Sequence, residues 1–221
     1  MIPFHIPTPQ GCNIQTFYGS ATTASSTESR NWKTWNKPVG VSHIYMMLIG
    51  SGGDGDGANS GGSGAVTVWY GAAQHVPNVL QVWARGPAVV NSATQVAYLS
   101  STANLVALLS ANSSTSAAGG SSMSANYFTA SGFFQSTAGQ NGVSVGAVSP
   151  SATTFLSAGC GPTGGTANYG YTAGGTNGGY FQLQPIIVGL GANQTNAVAV
   201  GCGSILNGTA GGQGMVLIAS W

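Results

Sequence analysis

Short apolar runs alternating with glycine-dense segments leave this chain few ways to fold. Three regions are especially rich in glycine: 50–64 (GSGGDGDGANSGGSG), 159–179 (GCGPTGGTANYGYTAGGTNGG) and 201–214. A glycine-rich stretch is either a slack linker or a place where backbones pack against one another, because only glycine lets two main chains approach without a Cβ between them. Between these regions lie short runs of strand-forming residues bounded by Gly, Ser, Asn and Pro. They fall at 43–49, 65–70, 79–84, 95–99, 105–109, 143–148, 153–157, 180–183, 197–200 and 215–220. No segment carries a sustained helical period with caps. Residues 102–110 contain good helix formers, but the run is short and flanked by serines, and it is read as a strand. About ten short strands at this spacing predict an all-β protein, a jelly-roll-like β-sandwich with ordered glycine-rich loops.

Charge narrows the choice of function. Four Lys and Arg and three Asp and Glu make 3% of 221 residues, against about 25% in an ordinary globular protein. Hydrophobic residues still reach 43%, so the polar, highly charged route to disorder is closed. The low charge also argues that the glycine segments are packed, since uncharged slack loops of this length would dissolve poorly. Four basic residues cannot neutralise a run of phosphates, which excludes nucleic-acid binding by electrostatics. Only Glu28, Asp54 and Asp56 offer carboxylates, too few for general acid–base chemistry in the body of the fold. A surface this poor in charge associates with itself, so the expectation is an obligate homo-oligomer.

Residues 1–30 are rich in Pro, Ser and Thr and read as an N-terminal arm or linker; 31–221 read as one glycine-rich domain. The first seven residues lack a basic n-region, and no run of 18 apolar residues exists to span a membrane. The expectation is a protein made in a cytoplasm and not exported by its own sequence. Cys12, Cys160 and Cys202 are odd in number and read as small buried thiols rather than as a disulfide framework. An internal echo stands out. Gly61-Gly62-Ser63-Gly64 runs into a strand reaching Trp69, and Gly211-Gly212-Gln213-Gly214 runs into one ending at Trp221. The two mark equivalent turn-to-strand transitions in one sandwich.

Each candidate for chemistry has a plainer structural reading. Asp54-Gly55-Asp56-Gly57-Ala58-Asn59 spaces oxygen ligands as a calcium loop begins, but the closing acid is missing, since no Asp or Glu follows Asp56. The pair Asp54 and Asp56 is therefore only a weak cation candidate, and no cofactor is expected. His5, His43 and His75 lack metal-ligand spacing and read as ordinary hydrogen-bonded histidines. No Gly-x-Ser-x-Gly elbow, carboxylate pair or Gly-Lys-Ser/Thr loop is present, so no catalytic residues are assigned. The sequons at Asn112, Asn193 and Asn207 are attributed to composition. Aromatics are the remaining contact candidates. Trp32 and Trp35 stand beside Lys33 and Lys37, where they either dock a carrier protein or a sugar or plug one end of the sandwich. Tyr169, Tyr171 and Tyr180 lie among glycines and asparagines, a setting typical of adaptable binding loops.

Trp35-Asn36-Lys37-Pro38-Val39-Gly40-Val41, the following strand 43–49 and Gly50-Ser51-Gly52-Gly53 together resemble the glycine-rich domain common in tail-fibre and other virion proteins of bacteriophages. Gly211-Gly212-Gln213-Gly214-Met215-Val216-Leu217-Ile218 and Trp221 match that domain's ending. The resemblance spans residues 32–221, with its specific motifs at the two ends; the acids Asp54 and Asp56 interrupt what is often a longer glycine run. It implies a structural or receptor-binding virion component, a β-sandwich that assembles as a trimer. The functions to be weighed are a non-enzymatic virion protein (capsid decoration, head fibre, spike or tail-fibre component), localised to the virion and joined to other virion proteins through its N-terminal arm. Against it stand an adhesin for a host receptor or surface glycan, an ice-binding or matrix protein, and lastly an enzyme.

Overall fold

The computed structural model describes residues 12–19, 32–53, 61–86, 93–114, 116–139, 141 and 212–221. Among them the chain forms nine strands: β1 (Asn13–Tyr18), β2 (Lys33–Asn36), β3 (His43–Ile49), β4 (Val66–Ala72), β5 (Val79–Trp83), β6 (Ala93–Leu99), β7 (Leu105–Asn112), β8 (Gly132–Thr137) and β9 (Met215–Ser220). Single 3-10 turns at Ala73–His75 and Thr129–Ser131 are the only helical pieces described. One sheet has the order β1-β9-β3-β4-β8 and the other β2-β5-β6-β7. Every pairing is antiparallel. The all-β sandwich expected from the sequence is what these residues build, and 105–112 is a strand, as read. The expected strands at 143–148, 153–157, 180–183 and 197–200 lie outside the described residues.

The core sits between the sheets. Ile44, Met46, Leu48, Val216 and Ile218 face Trp35, Leu80, Val82, Val96 and Leu109 across it. Burying such side chains contributes roughly 1.5–3 kcal/mol each. Alternation along the same strands places Met47, Ile49, Val66, Val68, Met215, Leu217 and Ala219 on the opposite face of the larger sheet, where they form a second buried cluster. Strands β3 and β9 are thus buried on both faces, which is why they read as unbroken apolar runs (IYMMLI and MVLIA) instead of alternating.

The expected boundary at residue 30 needs correction. Asn13–Tyr18 is no free arm: all six residues pair with β9, from Asn13 opposite Ser220 to Tyr18 opposite Met215. Ile14 and Tyr18 pack on the second cluster. The segment NIQTFY escaped notice because an edge strand with one polar face needs few apolar residues, and its partner lies some 200 positions away. Strands β2 and β8 were missed for the same reason.

At one end the two sheets stop being separated by side chains. Facing sheets ordinarily lie about 10 Å apart. Here Ala65 N–H, leading into β4, donates to Asn112 O at the end of β7 (2.9 Å). Ser114 N–H donates to Ser51 O (2.9 Å), Gly62 N–H to Ser116 O (3.0 Å) and Gly214 N–H to Arg85 O (2.6 Å). The Thr67 hydroxyl adds a bond to Ser110 O (2.7 Å). Laterally, Gly50 N–H donates to Ala65 O, Gly52 N–H to Gly212 O, Gly53 N–H to Gly62 O and Gly120 N–H to Ser63 O, all at 2.8–3.0 Å. A Cβ at Gly50 would overlap Asn112 O, one at Gly64 would overlap Gly50 O, and one at Gly120 would again overlap Asn112 O. The glycine-dense segments 50–53, 61–64 and 212–214 are therefore ordered structure, a seam in which backbone packs on backbone; 159–179 lies outside the described residues.

Glycine serves a second purpose deeper in the sandwich. Gly71 and Gly132 are cross-strand partners on β4 and β8, and the fully buried indole of Trp69 lies where their side chains would be, 2.5 Å from a Cβ built on Gly71. Phe128 closes over the same indole at a centroid separation of 4.8 Å.

Gly50→Val or Gly64→Val should each cost about 1–3 kcal/mol or more in denaturant unfolding, since the overlapped atom is backbone carbonyl and cannot move aside. Gly40 gives the contrast. It has a φ of 83° with nothing within 4 Å, so Gly40→Asn, which tolerates that conformation, should change stability by less than about 0.5 kcal/mol.

Candidate ligand-binding surface

The sandwich places the sequence-derived candidates unevenly. Trp35, weighed as a partner contact, is 1% exposed and belongs to the core between the sheets. It is a core side chain and not an exposed contact. Strand β2 alternates, so the residue that faces inward had to be the large apolar one, between exposed Thr34 and Asn36. Trp32 is half-buried and rests against Trp83, with ring centroids 5.7 Å apart and planes inclined at 48°. The Arg85 guanidinium lies 4.8 Å over the Trp83 ring, so this cation is held against an aromatic face. The Lys37 ammonium donates to the carbonyls of Ala73 (3.0 Å) and Val76 (2.8 Å). Lys37 and Arg85 thus tie neighbouring parts of the structure together, whereas Lys33 on β2 is exposed. Tyr169, Tyr171, Tyr180, Asp54 and Asp56 lie outside the described residues. Among the described residues, no three His, Cys, Asp or Glu come together as a metal site, and no helix is long and apolar enough to cross a membrane.

A different aromatic group assembles at the end of the larger sheet remote from the glycine seam. His43 opens β3, and Trp221 follows β9. The two exchange backbone bonds, His43 N–H to Trp221 O (2.9 Å) and Trp221 N–H to His43 O (3.1 Å). Tyr70 lies on β4, on the other side of β3, directly opposite Tyr45. Alternation puts His43, Tyr45, Tyr70 and Trp221 on the same face as the second buried cluster. The side chains of Trp221 and Tyr70 reach toward each other across β3 and meet the imidazole there. Ring centroids are 5.7 Å apart for His43–Tyr70, 6.1 Å for His43–Trp221 and 5.8 Å for Tyr70–Trp221, with planes inclined by 17°, 19° and 11°. In a column of three rings, with about 3.5 Å per layer, the outer pair would be about 7 Å apart. The near-equal separations instead mark a compact cluster in which each ring is stacked, with an offset, on the other two. Beside them Phe133, opposite Tyr70 on β8, is 51% exposed, and Tyr70 itself is 37% exposed.

The polar atoms of this layer are ordered as well. The Ser42 hydroxyl donates its one proton to Trp221 O (3.2 Å) and lies 2.9 Å from His43 Nδ1. None of the charged residues among those described belongs to the five-stranded sheet: Lys33 is on β2, Lys37 follows it, and Arg85 follows β5. Burial without a charged partner raises Tyr45 and Cys12, both packed against the second cluster. The Tyr45 phenol is pushed up to about 12 by desolvation. The Cys12 thiol is raised by desolvation, against which a backbone bond at Ser220 acts.

Sequence reasoning weighed His43 only as a metal ligand or an ordinary histidine, and it missed Tyr45, Tyr70, Trp221 and Phe133 as a group. The one signal available was the echo: the two glycine-to-strand repeats become β4 and β9, which flank β3 on either side. That adjacency is what carries Tyr70 and Trp221 to His43.

Because the folded-state pKa of Tyr45 lies above the ordinary phenol value of about 10, its contribution to stability is complete below pH 10 and is lost as pH rises toward 12. Stability measured between pH 9 and 12 should fall over that window in the native protein, and Tyr45→Phe should lessen the fall. An unchanged alkaline profile in that variant would contradict the burial of this phenol.

Comparison with known proteins adds no name: no family model matches the chain, and no curated protein or solved structure matches it significantly.

Proposed function

We propose that the protein is a non-enzymatic structural component of a bacteriophage virion, a capsid decoration, head fibre, spike or tail-fibre protein that assembles as a homotrimer. The observation that carries the reading is the glycine seam. It joins the sheets of a charge-poor sandwich largely through main-chain bonds, so the fold does not depend on charged surface residues and its surface suits burial between subunits. The phage resemblance at 35–53 and 211–221 falls on the segments leading into this seam. In this reading the protein is synthesised in the host cytoplasm and resides in the virion. Attachment to other virion proteins belongs to the N-terminal residues that precede β1 and to those between β1 and β2, since β1 itself is part of the sheet.

A second reading, an adhesin for a host receptor or surface glycan, is favoured by one observation, the aromatic layer at His43, Tyr70 and Trp221.

Sedimentation of the purified protein at micromolar concentration should give a trimer, and mass spectrometry of particles purified from the encoding phage should find the chain in stoichiometric amount. A monodisperse monomer, or a chain absent from washed particles, would refute the assembly reading. A copy number of only a few per particle would favour the adhesin.

A further inference from the structure

We propose that residues 142–211 of the same chain pack as a third layer across the outer face of the five-stranded sheet, so that this face is a second core of one subunit and not a contact between subunits. The inference does not rest on the protein's place in a virion.

The outer face is buried, and the described residues do not account for what buries it. Met47, Ile49, Met215, Leu217 and Ala219 are no more than 1% exposed there, and Val66 and Val68 no more than 4%. An antiparallel sheet with one face in water carries polar side chains on that face, whereas β9, β3 and β4 carry apolar ones. Among the described residues, the apolar side chains packed against the cluster are Cys12, Ile14, Tyr18, Tyr45 and Trp221. All lie on β1, β3 and β9 or directly beside them, so they are neighbours within the sheet and do not roof it. The smaller sheet packs on the opposite face. Burial also has an outline. It is complete over the seam half of β9, β3 and β4, and it thins to half-buried Ile14 and Tyr18 on the β1 edge. On the β8 edge and toward the aromatic end it gives way to Phe133 at 51% and Tyr70 at 37% exposure.

Chain length and chemistry select the occupant. Thr137 lies opposite Val66, Val66 opposite Ile49, and Ile49 opposite Met215. The chain therefore leaves β8 and enters β9 in one row of the sheet, three strand spacings or about 14 Å apart. About five extended residues would bridge that gap, and 142–211 supplies 70. This segment contains no Asp, Glu, Lys, Arg or His, so laying it on an apolar face strands no charge. Its apolar runs at 143–148, 186–190 and 197–200 offer side chains to meet those of the sheet. The other stretches outside the described residues fit poorly. Residues 54–60 hold Asp54 and Asp56, 20–31 hold Glu28 and Arg30, and 87–92 join two strands of the smaller sheet. Residues 1–11 are long enough for one further strand and too short for a layer spanning three.

The test is methyl NMR on the full-length protein. With Met, Ile, Leu and Val methyls all labelled, the ε-methyls of Met47 and Met215 should show cross-relaxation to methyls within 142–211. A second sample, assembled from chains labelled only at Met and chains labelled only at Ile, Leu and Val, reports contacts between copies and should show no such peaks. Hydrogen peroxide gives an independent reading, since methionine oxidation follows exposure: Met47 and Met215 should form sulfoxide at least about tenfold more slowly than free methionine. Three results overturn the proposal. One is the absence of any contact from either methyl to 142–211. Another is oxidation of both methionines at the free rate. The third is cross-peaks in the mixed sample, which would give this face to a second copy and favour the assembly reading while refuting the third layer.

Discussion

Direct main-chain hydrogen bonding between the two sheets is the interaction on which the rest of this structure depends. A sandwich normally holds its sheets apart by the thickness of two layers of side chains. Where Ala65, Ser114, Gly62 and Gly214 donate across the gap, that thickness is gone, and the sheets meet at a hydrogen bond's length. Such an approach is possible only if Cβ atoms are missing at the contact, which is the condition met at Gly50, Gly64 and Gly120. Each bond nets only about 1 kcal/mol. A set of them in register nevertheless fixes the angle and offset of the sheets far more tightly than a hydrophobic interface, which is non-directional. The angle and offset of the sheets therefore owe nothing to surface charge, of which the chain has little.

The seam also decides what the opposite end can do. Strand β3 runs from His43 to Ile49, so the aromatic layer and the seam lie roughly 20 Å apart along one strand. Clamping the sheets at Ile49 and beyond fixes β9 and β4 on either side of β3. That placement brings Trp221 and Tyr70 over His43 from two strands with no contact in sequence. Rings held in contact by a rigid sheet are ordered without further loss of side-chain freedom. The protein thus couples an end built mainly from glycine and other small residues to an end built from its largest side chains.

The all-β class, six of the strands and the packed nature of glycine segments 50–53, 61–64 and 212–214 were legible in the sequence, and the reasons are local. Runs such as HIYMMLI and MVLIAS are apolar throughout because both faces are buried, and the GGxG elements ahead of β4 and β9 announce where strands begin. What escaped depends on distant pairing. Asn13–Tyr18 alternates weakly and becomes a strand because β9 offers it an edge. Trp35 and Trp32 look alike beside lysines, yet one strand's alternation sends the first into the core and leaves the second half-exposed. The aromatic layer was hidden most completely. His43, Tyr70 and Trp221 are separated by 27 and 151 positions, and only the order β9-β3-β4 unites them.

Native-state hydrogen exchange at the seam amides tests the central claim most directly. Gly52, Gly53, Gly62, Ala65, Ser114, Gly120 and Gly214 donate main-chain bonds there, several of them in segments that composition alone would class as slack loop. The account predicts that these amides exchange as slowly as the core amides of β3 and β9, opening only with global unfolding. Exchange at the rate of unprotected glycine-rich peptide, with β3 and β9 still protected, would show that the sheets are held by their side chains alone and that the seam is not what joins them.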